Sequence, residues 1–134
     1  MHPEPNVYNF EQGDKFVEFG EKNDMSVIGH ILVDRVMVPG WVFRDPNGNN
    51  ITRDILLARM REHIMTVVGR YKGRINCWQV VNEAIEPDGT MVKTKWYEII
   101  GEHINGRTDY PLLFDREWKP KKAYFAIIGT VQKN

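Results

Sequence analysis

The apolar positions of this chain form two short, nearly continuous runs, separated by longer segments with helical spacing. The first run lies within Met25–Val33, interrupted by Gly29-His30, and the second lies within Arg74–Val81. Near-continuous apolar character is typical of strands that are covered on both faces. We therefore predict two buried strands over these two segments.

The first helix is predicted from its start signal. Asn9 is a good N-cap residue, and Gln12 follows three residues later in a capping-box arrangement. The helix should end near Asn23-Asp24, where polar turn residues follow the apolar positions. Its predicted inner face consists of Phe16, Val17 and Gly20.

The longest helix is predicted to follow Thr52, its N-cap, and to run to about Lys72 before a stop at Gly73. Its apolar residues recur at helical spacing and form one stripe. They are Leu56, Met60, Ile64, Val67, Val68 and Tyr71. A short helix is expected over residues 95–104, and Pro120 occupies the first position of a last helix.

These elements predict the fold class. The order α-β-α-β-α-α, in which strands alternate with helices, indicates an α/β fold with a parallel sheet and right-handed crossovers. The length of 134 residues suits a single domain over residues 1–134. Because two strands are few for a stable parallel sheet, we expect another chain or a symmetric copy to cover the sheet edges.

Composition and charge exclude several classes of partner. The chain is 42% apolar and 27% charged, and 18 basic residues balance 18 acidic ones without a basic block. We therefore expect no nucleic-acid partner, and no membrane partner because every apolar run is shorter than a membrane span. Residues 1–5 do not resemble a signal peptide, which predicts a cytoplasmic chain as written. Cys77, the single cysteine, is expected to be buried.

Candidate catalytic residues lie where the predicted strands end, because the loops at the carboxyl ends of parallel strands converge. The two-residue period of the first strand places His30 and Asp34 on one face, with Arg35 directly beyond. The second strand ends in Asn82 and Glu83, and a carboxylic acid at such a place suits a general acid. From the residues alone, a solvated loop carboxylate and a hydrogen-bonded core histidine stay open as alternatives for Glu83 and His30.

Three tryptophans allow two interpretations. Aromatic faces suit the C–H surface of pyranose rings, so Trp41, Trp96 and Trp118 are candidate platforms for a sugar. Packing against neighbouring side chains is the alternative for each of them, and the sequence alone does not separate the two.

A series of motifs runs through the chain in order. It consists of residues 3–33, Pro39-Gly40-Trp41-Val42-Phe43, Thr52-Arg53-Asp54, Val67-Val68-Gly69-Arg70-Tyr71-Lys72-Gly73, Trp78-Gln79-Val80-Val81-Asn82-Glu83-Ala84, Lys95-Trp96-Tyr97-Glu98-Ile99-Ile100-Gly101, Pro111-Leu112-Leu113-Phe114-Asp115 and Lys119-Pro120-Lys121-Lys122-Ala123-Tyr124. Together these motifs resemble the family 10 glycoside hydrolases, which are endo-β-1,4-xylanases. The resemblance covers nearly the whole chain and implies part of an eight-stranded β/α barrel.

The resemblance implies roles for individual residues in the hydrolysis of β-1,4-xylosidic bonds. Glu83 would be the acid/base, Asn82 would hydrogen-bond the 2-hydroxyl group of the sugar, and His30 and Trp41 would also bind substrate. The implied partner is xylan or a xylo-oligosaccharide, without a metal or a cofactor, and family members are often secreted. Retaining chemistry needs a second carboxylate about 5–5.5 Å from the first. The family carries it in a Thr-Glu-Leu-Asp type sequence, which these 134 residues do not contain.

Several positions depart from the family pattern. Asp34-Arg35 replaces a Trp-His pair, Gln79 replaces an Asp, and His2 replaces a Lys. These four residues define a possible altered site. The three positions that follow Arg35, usually polar in the family, are apolar in this chain.

In the terms of the family, residues 1–104 correspond to the second-helix to fourth-helix region and residues 105–134 to the C-terminal barrel segment. The strands between them have no counterpart, which predicts a partial barrel completed by homo-oligomerisation. Three functions stay open. The chain is a hydrolase with Asp34 as replacement nucleophile, or a catalytically inactive or engineered barrel fragment that acts as an assembly or binding unit, or a metal site. That metal site would consist of His2, His30, Asp34 and Glu83.

Overall fold

A parallel strand pair flanked by helices forms the part of the chain that the structure describes. The computed structural model describes residues 1–87 and 90–101, which, apart from Gly101, belong to the unit Met1–Ile100. Its elements are α1 (Glu11–Lys22), β1 (Ile28–Val33), a 3-10 turn (Gly40–Val42), α2 (Arg53–Arg70), β2 (Cys77–Val81) and α3 (Lys95–Ile100). The predicted order is confirmed as far as α3, and the predicted helix at Pro120 lies outside the described residues.

The register of the two parallel strands positions the candidate site. Gly29 of β1 lies opposite Trp78 of β2, and His30 lies opposite Gln79, before the register shifts toward the ends of the strands. A Cβ atom on residue 29 would lie 2.1 Å from Cε3 of Trp78, so only glycine permits this approach of the indole ring. The same register sets His30 beside Gln79 near the carboxyl ends of both strands.

Both strands are shorter and less covered than predicted. The prediction that both faces are buried is wrong for the described residues, because Ile28 is 61% exposed and Val81 is nearly half exposed. Cys77 is exposed as well, contrary to the prediction. Burial alternates along β2, since Trp78 and Val80 pack against the core while their neighbours face away from it.

The described residues contain two clusters of buried apolar side chains. The first joins α1, β1 and α2 and consists of Val17, Leu32, Val33, Val67 and Tyr71. The second joins the 3-10 turn and the segment after it to α2 and α3, and it consists of Val42, Phe43, Ile51, Leu56 and Ile99. Full burial of one such side chain is worth about 1.5–3 kcal/mol, so these clusters are the main source of stability in this unit.

The first helix starts later than its sequence signal predicts. Oδ1 of Asn9 accepts a hydrogen bond from the backbone N–H of Glu11 at 3.0 Å, two residues along the chain. This local bond closes a turn ahead of the helix. The N-cap position is occupied by Phe10, without a side-chain cap, so the predicted capping box between Asn9 and Gln12 is wrong.

The buried face of α1 is narrower than predicted. Val17 and Gly20 are buried as expected, but Phe16 is exposed, so its assignment to the inner face is wrong. Gly20 allows a close approach, because a Cβ atom there would lie 2.4 Å from Cγ2 of Val27. The helix ends at Lys22, just before its predicted end.

The second helix follows its prediction closely. Oγ1 of Thr52 accepts a hydrogen bond from the backbone N–H of Ile55 at 3.4 Å, which confirms the N-cap. The predicted stripe faces the core, and Leu56, Val67 and Tyr71 are its most deeply buried members. The helix ends at Arg70, two residues before the predicted end. Within residues 1–87 and 90–101, no helix is both long and apolar enough to cross a membrane.

Two arginine–carboxylate pairs join α1 to α2 and to the segment directly after it. The guanidinium group of Arg70 donates two hydrogen bonds to Asp14, with Nε 2.9 Å from Oδ1. Arg74 donates two bonds of 2.7 Å to Glu21 in the same forked geometry. The Arg70 hydrogen bonds lower the pKa of Asp14, and those from Arg74 lower the pKa of Glu21.

Candidate active site at the strand ends

A row of three hydrogen-bonded side chains lies at the carboxyl ends of the two strands. Nδ1 of His30 lies 2.8 Å from Oε1 of Gln79, and Nε2 of Gln79 donates to Oδ1 of Asn82 at 3.0 Å. His30 and Gln79 are exposed and Asn82 is half-buried. We call these three residues the polar row. It brings together two predicted substrate-binding residues and one residue of the possible altered site.

Glu83 follows the polar row directly and has an unusual backbone. Its φ angle is 48°, in the left-handed region that residues other than glycine rarely adopt. Its side chain is 61% exposed, and Oε2 lies 3.1 Å from Nε of Arg35. Arg35 and Glu83 thus form an ion pair in the described structure. Backbone outliers of this kind cluster at functional sites, which favours a functional role for this glutamate.

Asp34 lies next to Arg35 but makes different contacts. Its Oδ1 accepts hydrogen bonds from the backbone N–H groups of Val36 and Met37 at 2.7 and 2.9 Å. These two bonds lower the pKa of the Asp34 carboxyl. The carboxylate thus closes its own loop, and this geometry does not favour the hypothesis that Asp34 replaces the nucleophile.

Trp96, one of the predicted platforms for a sugar ring, is held by packing and a hydrogen bond. Its Nε1 donates to the backbone oxygen of Asp34 at 2.8 Å, and its ring lies edge-on to Phe43 with centroids 4.9 Å apart. These contacts favour the packing interpretation for Trp96. Trp118 lies outside the described residues.

Trp41 lies in a different cluster, with His2. The ring centroids of Trp41 and His2 are 4.7 Å apart, and the guanidinium carbon of Arg59 lies 5.5 Å from the centroid of the indole. Arg59 also donates a hydrogen bond to the backbone oxygen of Trp41. Trp41 is half-buried, so these neighbours hold its ring in place and leave part of it accessible.

His2 has a histidine partner that the sequence reasoning missed. Its Nδ1 lies 3.1 Å from Nδ1 of His63 in α2, and its ring stacks on Tyr8 at 3.9 Å. Burial lowers the pKa of both histidines, and the charge of His2 lowers the pKa of His63 further. The signal for His63 was available, because residues 56, 60, 63 and 67 recur at helical spacing on the buried face of α2.

The four residues proposed for a metal site do not converge. His2 pairs with His63, whereas His30 contacts Gln79 and Glu83 pairs with Arg35. In the part of the chain that the structure describes, no three His, Cys, Asp or Glu side chains are grouped as metal ligands would be. The metal hypothesis therefore has no geometric support in residues 1–87 and 90–101.

Parallel strands linked by a helix, with an acid and hydrogen-bonding side chains at their carboxyl ends, are what β/α-barrel hydrolases present at their active sites. The model of glycosyl hydrolase family 10 matches residues 1–106, and the chain belongs to that family. The resemblance drawn from the sequence motifs is thereby confirmed over residues 1–106. So is the partial β/α barrel, since the matching solved structures are of this family.

The similar proteins are xylanases. Endo-1,4-beta-xylanase A of Xylanibacter ruminicola is 45% identical over 101 residues, which cover 75% of this chain and 27% of that protein. An endoxylanase retrieved from sugarcane soil metagenome is 50% identical in sequence with a TM-score of 0.71, covering 75% of this chain and 29% of that one. Xylanase 10B of Thermotoga petrophila, solved with xylobiose, is 44% identical with a TM-score of 0.68, covering 75% and 30%. The chain thus spans less than a third of the length of these relatives.

Proposed function

We propose that residues 1–101 form the acid/base side of a site that hydrolyses xylan. The polar row, which ends beside Glu83, is the observation that carries this proposal. In it Glu83 delivers the proton to the leaving oxygen of a β-1,4-xylosidic bond, while His30, Asn82 and Trp41 contact the sugar. A relative that is 44% identical was solved with xylobiose, which supports a xylo-oligosaccharide as the ligand.

Arg35 occupies one oxygen of the proposed acid/base group. The Arg35–Glu83 contact is an ion pair between two accessible side chains, with Nε 3.1 Å from Oε2. Exposed ion pairs of this kind contribute about 0.2–1 kcal/mol. A bound sugar therefore displaces the guanidinium group at little cost, and Oε2 of Glu83 becomes free to face the glycosidic oxygen.

Hydrolysis with retention needs a nucleophilic carboxylate about 5–5.5 Å from the acid/base. Asp34 is engaged by its own loop, so we infer that the nucleophile comes from outside residues 1–101. Residues 1–101 then bind the xylo-oligosaccharide and carry the acid/base, and the second carboxylate is supplied by other residues.

The test combines binding and turnover. Xylotriose binding is measured by calorimetry for the chain and for Asn82→Ala, which should weaken binding by about 2- to 13-fold through the loss of one hydrogen bond, or about 0.5–1.5 kcal/mol. Reducing-sugar release from xylan is measured in parallel, with Glu83→Gln beside Glu86→Gln as a matched control. Release by the chain alone, abolished by Glu83→Gln, would show that a second carboxylate is already present. No binding of xylotriose would reject the proposal.

An assembly role is the second candidate, and exposed apolar side chains favour it. Val36 and Met37, in the loop after β1, are 72% and 86% exposed, and Ile28 and Val81 are exposed on the strands. Exposed apolar groups beside unpaired strand edges are typical of surfaces that another chain covers. We propose a homo-oligomer through this surface. Light scattering that finds a strict monomer would exclude it, whereas an oligomer dissociated by Val36→Ser with Met37→Ser would support it.

A further inference from the structure

The hydrogen bonds of the polar row have a fixed donor-to-acceptor direction, because the two ends of the Gln79 amide differ in chemistry. We propose that Gln79 is a positioning residue, which decides which atom of His30 accepts and which atom of Asn82 donates hydrogen bonds to the sugar. This inference rests on the proposed function for its ligand, but its structural half concerns the chain without sugar. The two ends of the Gln79 amide differ, since Oε1 only accepts and Nε2 only donates.

The acceptor end determines the tautomer of His30. Oε1 of Gln79 lies 2.8 Å from Nδ1 of His30, so Nδ1 must carry the hydrogen. A neutral imidazole has one N–H group and one unprotonated nitrogen. Nε2 of His30 is therefore an acceptor, suited to a hydroxyl group that donates.

The donor end determines the orientation of the Asn82 amide. Nε2 of Gln79 donates to Oδ1 of Asn82 at 3.0 Å, so the oxygen of Asn82 faces the row. The amide nitrogen of Asn82 is then left to donate outward. The row thus offers one acceptor and one donor, and a sugar hydroxyl group, which both donates and accepts, can bind to either.

The strand register makes Gln79 the one residue of the row that reaches both others. His30 and Gln79 lie directly opposite each other on β1 and β2. Asn82 follows Gln79 by three residues, just past the end of β2, and its backbone N–H bonds to the oxygen of Val33. An amide at residue 79 therefore links two strands, and replacing it changes His30 and Asn82 in different ways.

Glutamate and methionine separate these two effects. In Gln79→Glu, a carboxylate oxygen still accepts from Nδ1 of His30, but no donor remains for Oδ1 of Asn82. The Asn82 amide is then expected to turn over, with its nitrogen donating to the carboxylate and its oxygen facing outward. In Gln79→Met, a side chain of similar length makes neither bond, so both neighbours lose their fixed orientation.

The first measurement is made without sugar. ¹⁵N NMR of the ring nitrogens of His30, recorded on the full chain with neutral imidazole, should show the Nδ1–H tautomer in the original chain and in Gln79→Glu. Gln79→Met should show a mixture of tautomers. A predominant Nε2–H tautomer in the original chain would mean that Nδ1 of His30 does not donate to Gln79, and it would overturn the proposal. The backbone spectrum of each variant reports whether it is folded.

The second measurement is xylotriose affinity by calorimetry. Gln79→Glu should bind about 2- to 10-fold more weakly, because Asn82 then presents an oxygen in place of its donor. Gln12→Glu, the same change on exposed α1, is the control for the added charge and should bind normally. In an Asn82→Ala background, Gln79→Glu should have little further effect, since the group it reorients is gone.

The outcomes distinguish this inference from the proposed function. Unchanged affinity in Gln79→Glu, with normal binding by the original chain, would overturn the positioning role and leave the proposed function intact. If neither the original chain nor any variant binds xylotriose, the proposed function is overturned. The His30 tautomer, measured without sugar, would then still test whether Gln79 orients the polar row. Equal weakening by Gln79→Glu in both backgrounds would show that Gln79 does not act through Asn82, and would also overturn the proposal.

Discussion

The interface of α1 with α2 and the carboxyl ends of β1 and β2 differ in how their side chains are used. At the helix interface, Val17 and Tyr71 are almost completely buried, and forked ion pairs such as Arg70–Asp14 border them. At the strand ends, the polar row and Glu83 are largely exposed, and their bonds run between polar groups. The first region gains stability from burial, whereas the second presents hydrogen-bonding atoms to solvent.

This difference suggests that stability and binding depend on separate sets of residues. Burial of an apolar side chain is worth about 1.5–3 kcal/mol, whereas an exposed ion pair such as Arg35–Glu83 contributes about 0.2–1 kcal/mol. Substitutions in the clusters should therefore change the free energy of unfolding, and substitutions in the polar row should change affinity at nearly constant stability.

The largest expected effect comes from the helix side. Leu56→Ala removes a fully buried side chain of the second cluster and should lower the free energy of unfolding by about 2–5 kcal/mol, through lost burial and the cavity left behind. Ile55→Ala is the matched control, because Ile55 precedes Leu56 in α2 but is 46% exposed. Its effect should be within about 0.5 kcal/mol. Urea denaturation of the three proteins measures both values.

Equal losses from these two substitutions would contradict the assignment of stability to the buried clusters. A small loss from Leu56→Ala alone would mean that the helices pack loosely around that position. The slope of the unfolding free energy against urea concentration serves as the check, because it should be the same in all three proteins if they unfold from the same compact state.

Sequence reasoning succeeded where a local signal specifies an element. The apolar stripe of α2 and its cap at Thr52 are both encoded within one segment, and both are confirmed. The strand cores were also found, but their coverage was not, because a run of apolar residues shows no difference between a covered face and an exposed one. Ile28 is the clearest case, since its apolar character predicted burial and it is 61% exposed.

Contacts between distant segments could not be predicted. The role of Gln79 depends on the strand register that sets it opposite His30, and nothing in the local sequence specifies that register. The sequence places Arg35 beside Asp34, but the carboxylate of Asp34 accepts hydrogen bonds from the backbone, and Arg35 pairs with Glu83. Strand ends and motifs thus predicted the residues of the candidate site, while their pairing required the three-dimensional arrangement.

A smaller loss of stability than that of Leu56→Ala is expected within the strand pair, where Gly29 leaves no room for a side chain beside Trp78. Gly29→Ala would place a Cβ atom 2.1 Å from the indole of Trp78, and relieving such overpacking costs about 1–3 kcal/mol. The indole must shift, so tryptophan fluorescence should change as well. Gly69→Ala in α2 is the control, because a Cβ atom there meets nothing within 4 Å. It should stabilise the chain by about 0.4–1 kcal/mol.

If Gly29→Ala is neutral and leaves the fluorescence unchanged, the close approach of the two strands at this register position is wrong. The polar row would then lose its structural basis too, because His30 and Gln79 are the next pair in the same register. Xylotriose affinity of Gly29→Ala is a second test of this register. It should fall, because a displaced Trp78 should also displace Gln79.

The smallest effect concerns the histidine pair that joins the N-terminal segment to α2. The rings of His2 and His63 are nearly parallel, at 4°, with centroids 5.3 Å apart and the two Nδ1 atoms 3.1 Å apart. The centroid distance is close to the Nδ1 separation plus the two ring radii, so the rings meet edge to edge. One Nδ1 then donates to the other, and protonating both rings would set two N–H groups against each other.

Because burial lowers the pKa of both histidines below 6.5, the unfolded chain binds more protons than the folded chain as the pH falls. The stability that the pair contributes is fully present above pH 6.5 and is lost toward the lower folded pKa values, by less than about 1.4 kcal/mol per pH unit for each ring. Urea denaturation between about pH 7 and pH 5 should show this loss in the original chain and in His30→Gln, whose histidine lies elsewhere. The loss should shrink in His2→Gln. An undiminished loss in His2→Gln would mean that other groups cause the pH dependence. The carboxyls of Asp14 and Asp45 are not among them, because their pKa values lie below 3.8 and their protonation destabilises the fold only at lower pH.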